Sequence, residues 1–167
     1  MKIKIIILVT LCICILYVFM QAYQIIVPIT LTTVNSTLQE VAIKTGIGDP
    51  GEKILNAIHV ASKQTKLSET LLLSLIYSES SFNTKAISSK NYQGLMQIPK
   101  QYSPVSRYED INVLIGARIF AEKLIITKGN YRNALILYKG WRIGDTDGIK
   151  EANKVIDLIE KLQRATI

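Results

Sequence analysis

From Ile5 to Gln39 the chain carries no charged residue, and Ile5 to Met20 is apolar apart from Thr10. A bilayer core takes about 20 mostly apolar residues in a helix. The stretch from Ile5 to about Val27 meets that length, with Gln21 and Gln24 as polar interruptions near its far end. It predicts one N-terminal transmembrane helix within residues 1–30. Lys2 and Lys4 would hold the short N-terminus in the cytoplasm and send the rest of the chain out. A cleaved signal sequence is the other reading of the same residues. Its best cleavage site, Met20-Gln21-Ala22, lacks a small residue at the first key position, which favours an uncleaved anchor. Cys12 and Cys14 follow Leu11 and Ile13, both too large for a lipoprotein signal. They read as small apolar residues of the span, so the exported part has no disulfide and rests on its core alone.

The overall apolar fraction of 49% and mean hydropathy of +0.24 owe their height to that run. From residue 41 onward there are 18 Lys and Arg against 12 Asp and Glu. Nucleic acid is not the expected partner of an exported domain, whereas a polyanionic cell envelope suits this surplus. Residues 31–48 read as a linker with a short helix, because Ser36 and Gln39 form a capping box and Thr45-Gly46 a stop. Residues 49–167 read as one folded domain. Asp49-Pro50 with Glu52 predicts a second helix start, with Pro50 at the first helical position, and Ile54, Leu55, Ile58 and Ala61 give its stripe. Ser68 caps a third helix. Two more are expected over Asp110 to Thr127 and Asn130 to Tyr138. A last one follows Asp147 and Gly148, with Ala152, Val155, Ile156, Ile159 and Leu162 on one face. No paired alternating runs predict a sheet, so the exported part is all-α, with about 125 residues to build a core.

The helix starting at Ser68 carries the chemistry. Leu72, Leu75 and Ile76 set its apolar face, and Glu79 follows them at helical spacing on that face. Loss of water there favours the protonated carboxyl, which is the form a general acid needs. Ser80-Ser81-Phe82 comes next, then Ala86, Ser88 and Gly94-Leu95-Met96-Gln97-Ile98.

On these residues the chain resembles the soluble lytic transglycosylase family, relatives of goose-type lysozyme. That family has a catalytic Glu followed by Ser, an aromatic two residues later, a Ser nine after the Glu, and a Gly-Leu-Met-Gln whose Gln lies eighteen after it. Ser80, Phe82, Ser88 and Gln97 stand at those offsets. Ile111-Asn112-Val113, Gly116-Ala117-Arg118 and the segment Ala134-Leu135-Ile136-Leu137-Tyr138-Lys139-Gly140 are similar to further family segments, so the likeness spans about residues 50 to 145. The resemblance implies a lysozyme-like transglycosylase domain behind the N-terminal transmembrane helix. In it Glu79 would be the acid and base, and Tyr138 would point a phenol at it from the far helix. Ser88 and Gln97 would bind substrate along the cleft, with Met96 helping to form the floor. Two departures stand out: Asn91-Tyr92 replaces the family's Gly-Ala, and Leu137-Tyr138-Lys139 replaces Ala-Tyr-Asn. Asn91 tolerates a left-handed backbone, so the turn is expected to persist.

A glycosidase normally works with two carboxylates, yet no acidic residue occurs between Ser80 and Tyr108. Glu109 and Asp110 are the nearest in sequence, and Asp110 reads as a helix cap. One carboxyl suffices if the substrate's own C6 hydroxyl closes onto C1. This is the route the resemblance implies, cleaving the MurNAc-GlcNAc β-1,4 bond of peptidoglycan to 1,6-anhydro-MurNAc. Lysozyme-type hydrolysis of that bond and a non-catalytic glycan-binding module remain the alternatives. Lys85, Lys90, Lys100 and Arg107 place positive charge nearby, compatible with an acid at Glu79 if they face water. The only histidine is His59, so neither metal nor cofactor is expected. The implied partners are glycan strands, the membrane through the N-terminal helix, and an envelope-spanning secretion or conjugation complex or a phage virion.

Overall fold

The computed structural model of the chain describes residues 13–20, 37–102 and 108–166. The chain divides into two compact units, Met1–Thr37 and Leu38–Ile167. In the first, residues 13–20 are helical, with exposed apolar side chains such as Leu16, Val18 and Phe19. Among the described residues no helix is long and apolar enough to cross a membrane. Most of the stretch expected to do so, residues 1–30, lies outside them, as does Ser36 of the expected capping box.

The second unit is all-helical, as expected. Its residues 38–44 belong to α1, followed by α2 (Glu52–Thr65), α3 (Glu69–Ser80), a short 3₁₀ turn (Lys100–Tyr102), α4 (Glu109–Ile126), α5 (Tyr131–Tyr138) and α6 (Thr146–Thr166). α2 lies along α4, α5 packs on both α4 and α6, and α3 touches α2, α4 and α6. The stretch expected as a linker contributes Val41, Ala42 and Ile47 to the same core as the other helices. Lys161 of α6 donates to the Thr45 carbonyl at 2.8 Å, satisfying an acceptor at the end of α1.

The caps follow from local chemistry. The Ser68 hydroxyl accepts from the Leu71 amide at 3.2 Å and the Asn130 side chain from that of Asn133 at 3.0 Å. Two expected starts shift. α2 begins two residues beyond Pro50, after Gly51, whose φ of 75° requires glycine and whose amide donates to Asp49 Oδ1 at 2.8 Å. Asp110 is not the cap of α4, because Tyr108 holds that place. The Asp110 carboxylate instead accepts from the Ile111 amide at 2.8 Å, inside the first turn, where negative charge meets the positive helix end.

α3 departs most from its sequence pattern. A one-sided stripe was expected, but Leu71, Leu72, Leu73, Ser74, Leu75 and Ile76 are all buried in succession. The helix is wrapped by its neighbours on every side, which suits its nearly uninterrupted apolar run. Ser74 fits because its hydroxyl donates to the Thr70 carbonyl at 2.8 Å. From Tyr77 onward the helix is only half-buried, so it leaves the core in its last turn.

Candidate active site

Glu79 is in that emerging turn, and its place is due to the exit of α3 from the core rather than to an apolar stripe. The chain then turns sharply. Ser81 and Phe82 both have left-handed backbones, with φ of 49° and 66°. Such conformations are unfavourable for non-glycine residues and persist where packing enforces them. Here the Phe82 ring lies 5.6 Å from that of Tyr77, and the Ser80 hydroxyl donates back to the Ile76 carbonyl at 3.0 Å.

The loop beyond is a compact hairpin. Isolated bridges join Ile87 to Gln93 and Gln93 to Ile98. Asn91 takes φ 60°, so the left-handed turn expected of it is present. The Ser88 hydroxyl accepts from the Tyr92 amide at 3.0 Å and closes that turn. Gln97, also left-handed at φ 46°, donates its side-chain amide to the Ala86 carbonyl at 3.2 Å and to the Gly94 carbonyl at 2.9 Å. Ser88 and Gln97 thus both shape the loop with the polar atoms that substrate was expected to meet. Met96 is fully buried beneath it. A Cβ on Gly116 would come within 2.4 Å of the Met96 Cβ, so that glycine lets α4 approach the loop.

Tyr138 is brought to this loop, near enough to Glu79 to feel its charge. Its hydroxyl donates to the Met96 carbonyl at 2.8 Å, not to Glu79. Burial, then the negative charge of Glu79, push the phenol well above its ordinary pKa, so it stays a neutral donor. Its ring stands edge-on to Phe120 with centroids 5.8 Å apart.

The partner of Glu79 is Lys139, the residue after Tyr138. Its Nζ is 2.8 Å from Glu79 Oε1, and the two side chains are only 9% and 15% exposed. Glu79 therefore has a counter-ion from sixty residues away in sequence. Lys85, Lys90 and Lys100, the sequence neighbours, face water, and Arg107 lies outside the described residues. Lys139 was visible only as a departure from the family's Asn. A second carboxylate that no motif picked out, Glu151 of α6, lies nearby. A hydrogen bond from Lys154 at 2.6 Å, and then the charges of Lys154 and Lys139, hold it below the usual carboxylate range. Glu109 lines a different surface pocket, with Thr84, Lys85, Ala86, Ile87, Gln93 and Gly94.

Fold and site together define an all-α, lysozyme-like domain whose central helix delivers a glutamate to a buttressed loop. Residues 56–140 match the family model of the transglycosylase SLT domain, half of the chain, and the chain belongs to that family. It is a lytic transglycosylase, a glycosidic-bond lyase acting on peptidoglycan. No curated protein matches the chain. The matched segment holds Glu79, Ser88, Met96, Gln97, Tyr138 and Lys139, whereas α1 and α6, which help to close the core, lie outside it.

Proposed function

We propose that the chain cleaves the MurNAc-GlcNAc β-1,4 bond of glycan strands and releases a 1,6-anhydro-MurNAc end, with Glu79 as the acid and then the base. The observation that carries this is the placement of Glu79, half-buried where α3 leaves the core and beside the Gly94–Ile98 loop's anchor, Tyr138. Glu79 protonates the glycosidic oxygen as an oxocarbenium-like centre forms, then accepts the proton of the C6 hydroxyl as O6 closes onto C1. Met96 supports the cleft floor, and Ser88, Gln97 and Tyr138 hold the loop in the shape that receives the sugar. Digestion of purified sacculi followed by mass spectrometry is the test. The expected muropeptides are lighter by one water than hydrolysis products and resist borohydride reduction; reducible ends instead would assign lysozyme-type hydrolysis.

The charge-free run from Ile5 to Gln39 supports a further part of the proposal: the N-terminal segment anchors the enzyme in a membrane with the catalytic domain exported. There it would open the wall locally for a secretion or conjugation machine or for a bacteriophage. Full-length protein expressed in a bacterium is expected to sediment with membranes and to resist high-salt extraction, since apolar insertion is not screened by ions. A mature N-terminus near Tyr23 by mass spectrometry would show a cleaved signal sequence instead.

A further inference from the structure

A general acid starts its work with a proton, yet the Glu79 carboxylate is paired with an ammonium 2.8 Å away. The pair resolves this difficulty. An ammonium and a carboxylate joined by a hydrogen bond have the same atoms as an amine joined to a carboxylic acid, with the proton on the other side. In water the ionic form is favoured. Where water is excluded, two separated charges become costly and the neutral form gains. Lys139 and Glu79 are already mostly out of water, and a glycan strand lying over them would remove what remains.

We propose that Lys139 is the proton reserve of Glu79, an inference that rests on Glu79 being the acid. When substrate covers the site, one proton passes from Lys139 Nζ to Glu79 Oε1, leaving an amine beside a carboxylic acid. Glu79 gives that proton to the glycosidic oxygen, which departs with the electron pair of its bond to C1. The second half is the reverse. O6 forms its bond to C1, and its proton passes to the Glu79 carboxylate and on to the Lys139 amine. The starting ion pair is restored, and no proton is drawn from solvent. One glutamate then serves as acid and base because the lysine carries the proton between turnovers.

The other ionisable groups facing the pair fit this assignment. Tyr138 of α5 is held neutral, with its proton committed to the Met96 carbonyl. Glu151 of α6 is committed to Lys154 at 2.6 Å. Neither competes for the proton shared by Lys139 and Glu79. Lys139 acts through Glu79 and needs no contact with the sugar.

The discriminating variant is Lys139→Arg. A guanidinium keeps the positive charge and the hydrogen bond but does not give up its proton in a protein. Steady-state kinetics on soluble glycan strands should show kcat lowered by about a hundredfold or more, the size of a general acid-base contribution, with KM within about threefold. Melting temperature should stay near that of wild type. To guard against a misfit of the larger head group, Lys139→Cys treated with bromoethylamine restores a primary amine at nearly the same reach. Recovery of at least a tenth of wild-type kcat is expected, with equally treated wild type as the control. An Arg variant at wild-type kcat, or an aminoethylated variant as slow as its untreated parent, overturns the relay and leaves Lys139 as a fixed counter-charge. An active Glu79→Gln enzyme would sink the assignment of Glu79 itself, an outcome distinct from both.

Discussion

Glu79→Gln is expected to lower the rate at which purified sacculi are solubilised by about 10²- to 10⁴-fold, the range of general acid-base contributions. The amide is nearly isosteric, and its oxygen can still accept from Lys139 Nζ, so the hydrogen bond at 2.8 Å has a successor. The substitution removes the charge and the proton but not the shape. It leaves the Lys139 ammonium, 9% exposed, without its counter-charge. Deleting one partner of a fully buried pair costs about 3–5 kcal/mol; here residual exposure and the remaining acceptor should bring this down to about 1–2 kcal/mol, observable as a slightly lower melting temperature in a folded protein. Sedimentation with sacculi should be unchanged, because binding along the cleft does not use the acidic proton. Solubilisation within tenfold of wild type would sink the assignment.

The parts of this molecule legible in its sequence are those whose interactions close within a few residues. Ser68 and Asn130 cap their helices through bonds spanning three positions, and a short polar side chain before an apolar run signals them directly. Asn91 is similarly readable, since asparagine tolerates a left-handed backbone better than most non-glycine residues. Where two local solutions compete, the boundary moves. Pro50 suited the first helical position, but Gly51 accepts a φ of 75° and Asp49 closes a turn onto its amide, so the helix starts later. The burial of α3 was not legible, because a run of leucines has no face until its neighbours are placed. The Glu79–Lys139 pair was hidden for the same reason: sixty residues separate its members, and no spacing rule reaches across α4. Sequence reasoning names Tyr138 but not the acceptor of its hydroxyl. Its position comes from the helix it ends, whereas its hydrogen bond depends on where the Met96 carbonyl lies, which only the packed loop decides.

The residue that decides this is Asn112, and its replacement should have the largest effect on stability. Asn112 is 1% exposed at the end of the first turn of α4, where that helix meets the loop. Its Oδ1 accepts from the Met96 amide at 2.8 Å, and its Nδ2 donates to the Gln93 carbonyl at 2.9 Å. The fit leaves no slack, since a Cβ on Gly94 would lie 2.3 Å from Nδ2. Asn112→Leu keeps a similar volume but removes these two bonds. The Gln93 carbonyl retains the Ile98 amide as a donor at 3.1 Å, so its loss is that of one ordinary bond, about 0.5–1.5 kcal/mol. The Met96 amide loses the bond that Asn112 supplied, and a buried donor left unsatisfied costs about 1–3 kcal/mol. Together these predict a destabilisation of about 2–4 kcal/mol, or a melting temperature lower by about 10 °C for a domain of this size. The damage should also reach the chemistry. Met96 N is held by Asn112 and Met96 O by Tyr138, so releasing one side frees the Gly94–Ile98 segment to shift relative to Glu79. Assayed well below its melting temperature, the variant should lose sacculus-solubilising activity by about tenfold or more, because small misplacements at a reacting centre are expensive. A melting temperature within 2 °C of wild type would mean that water replaces the side chain in both bonds, and that the loop is held chiefly by its own hairpin.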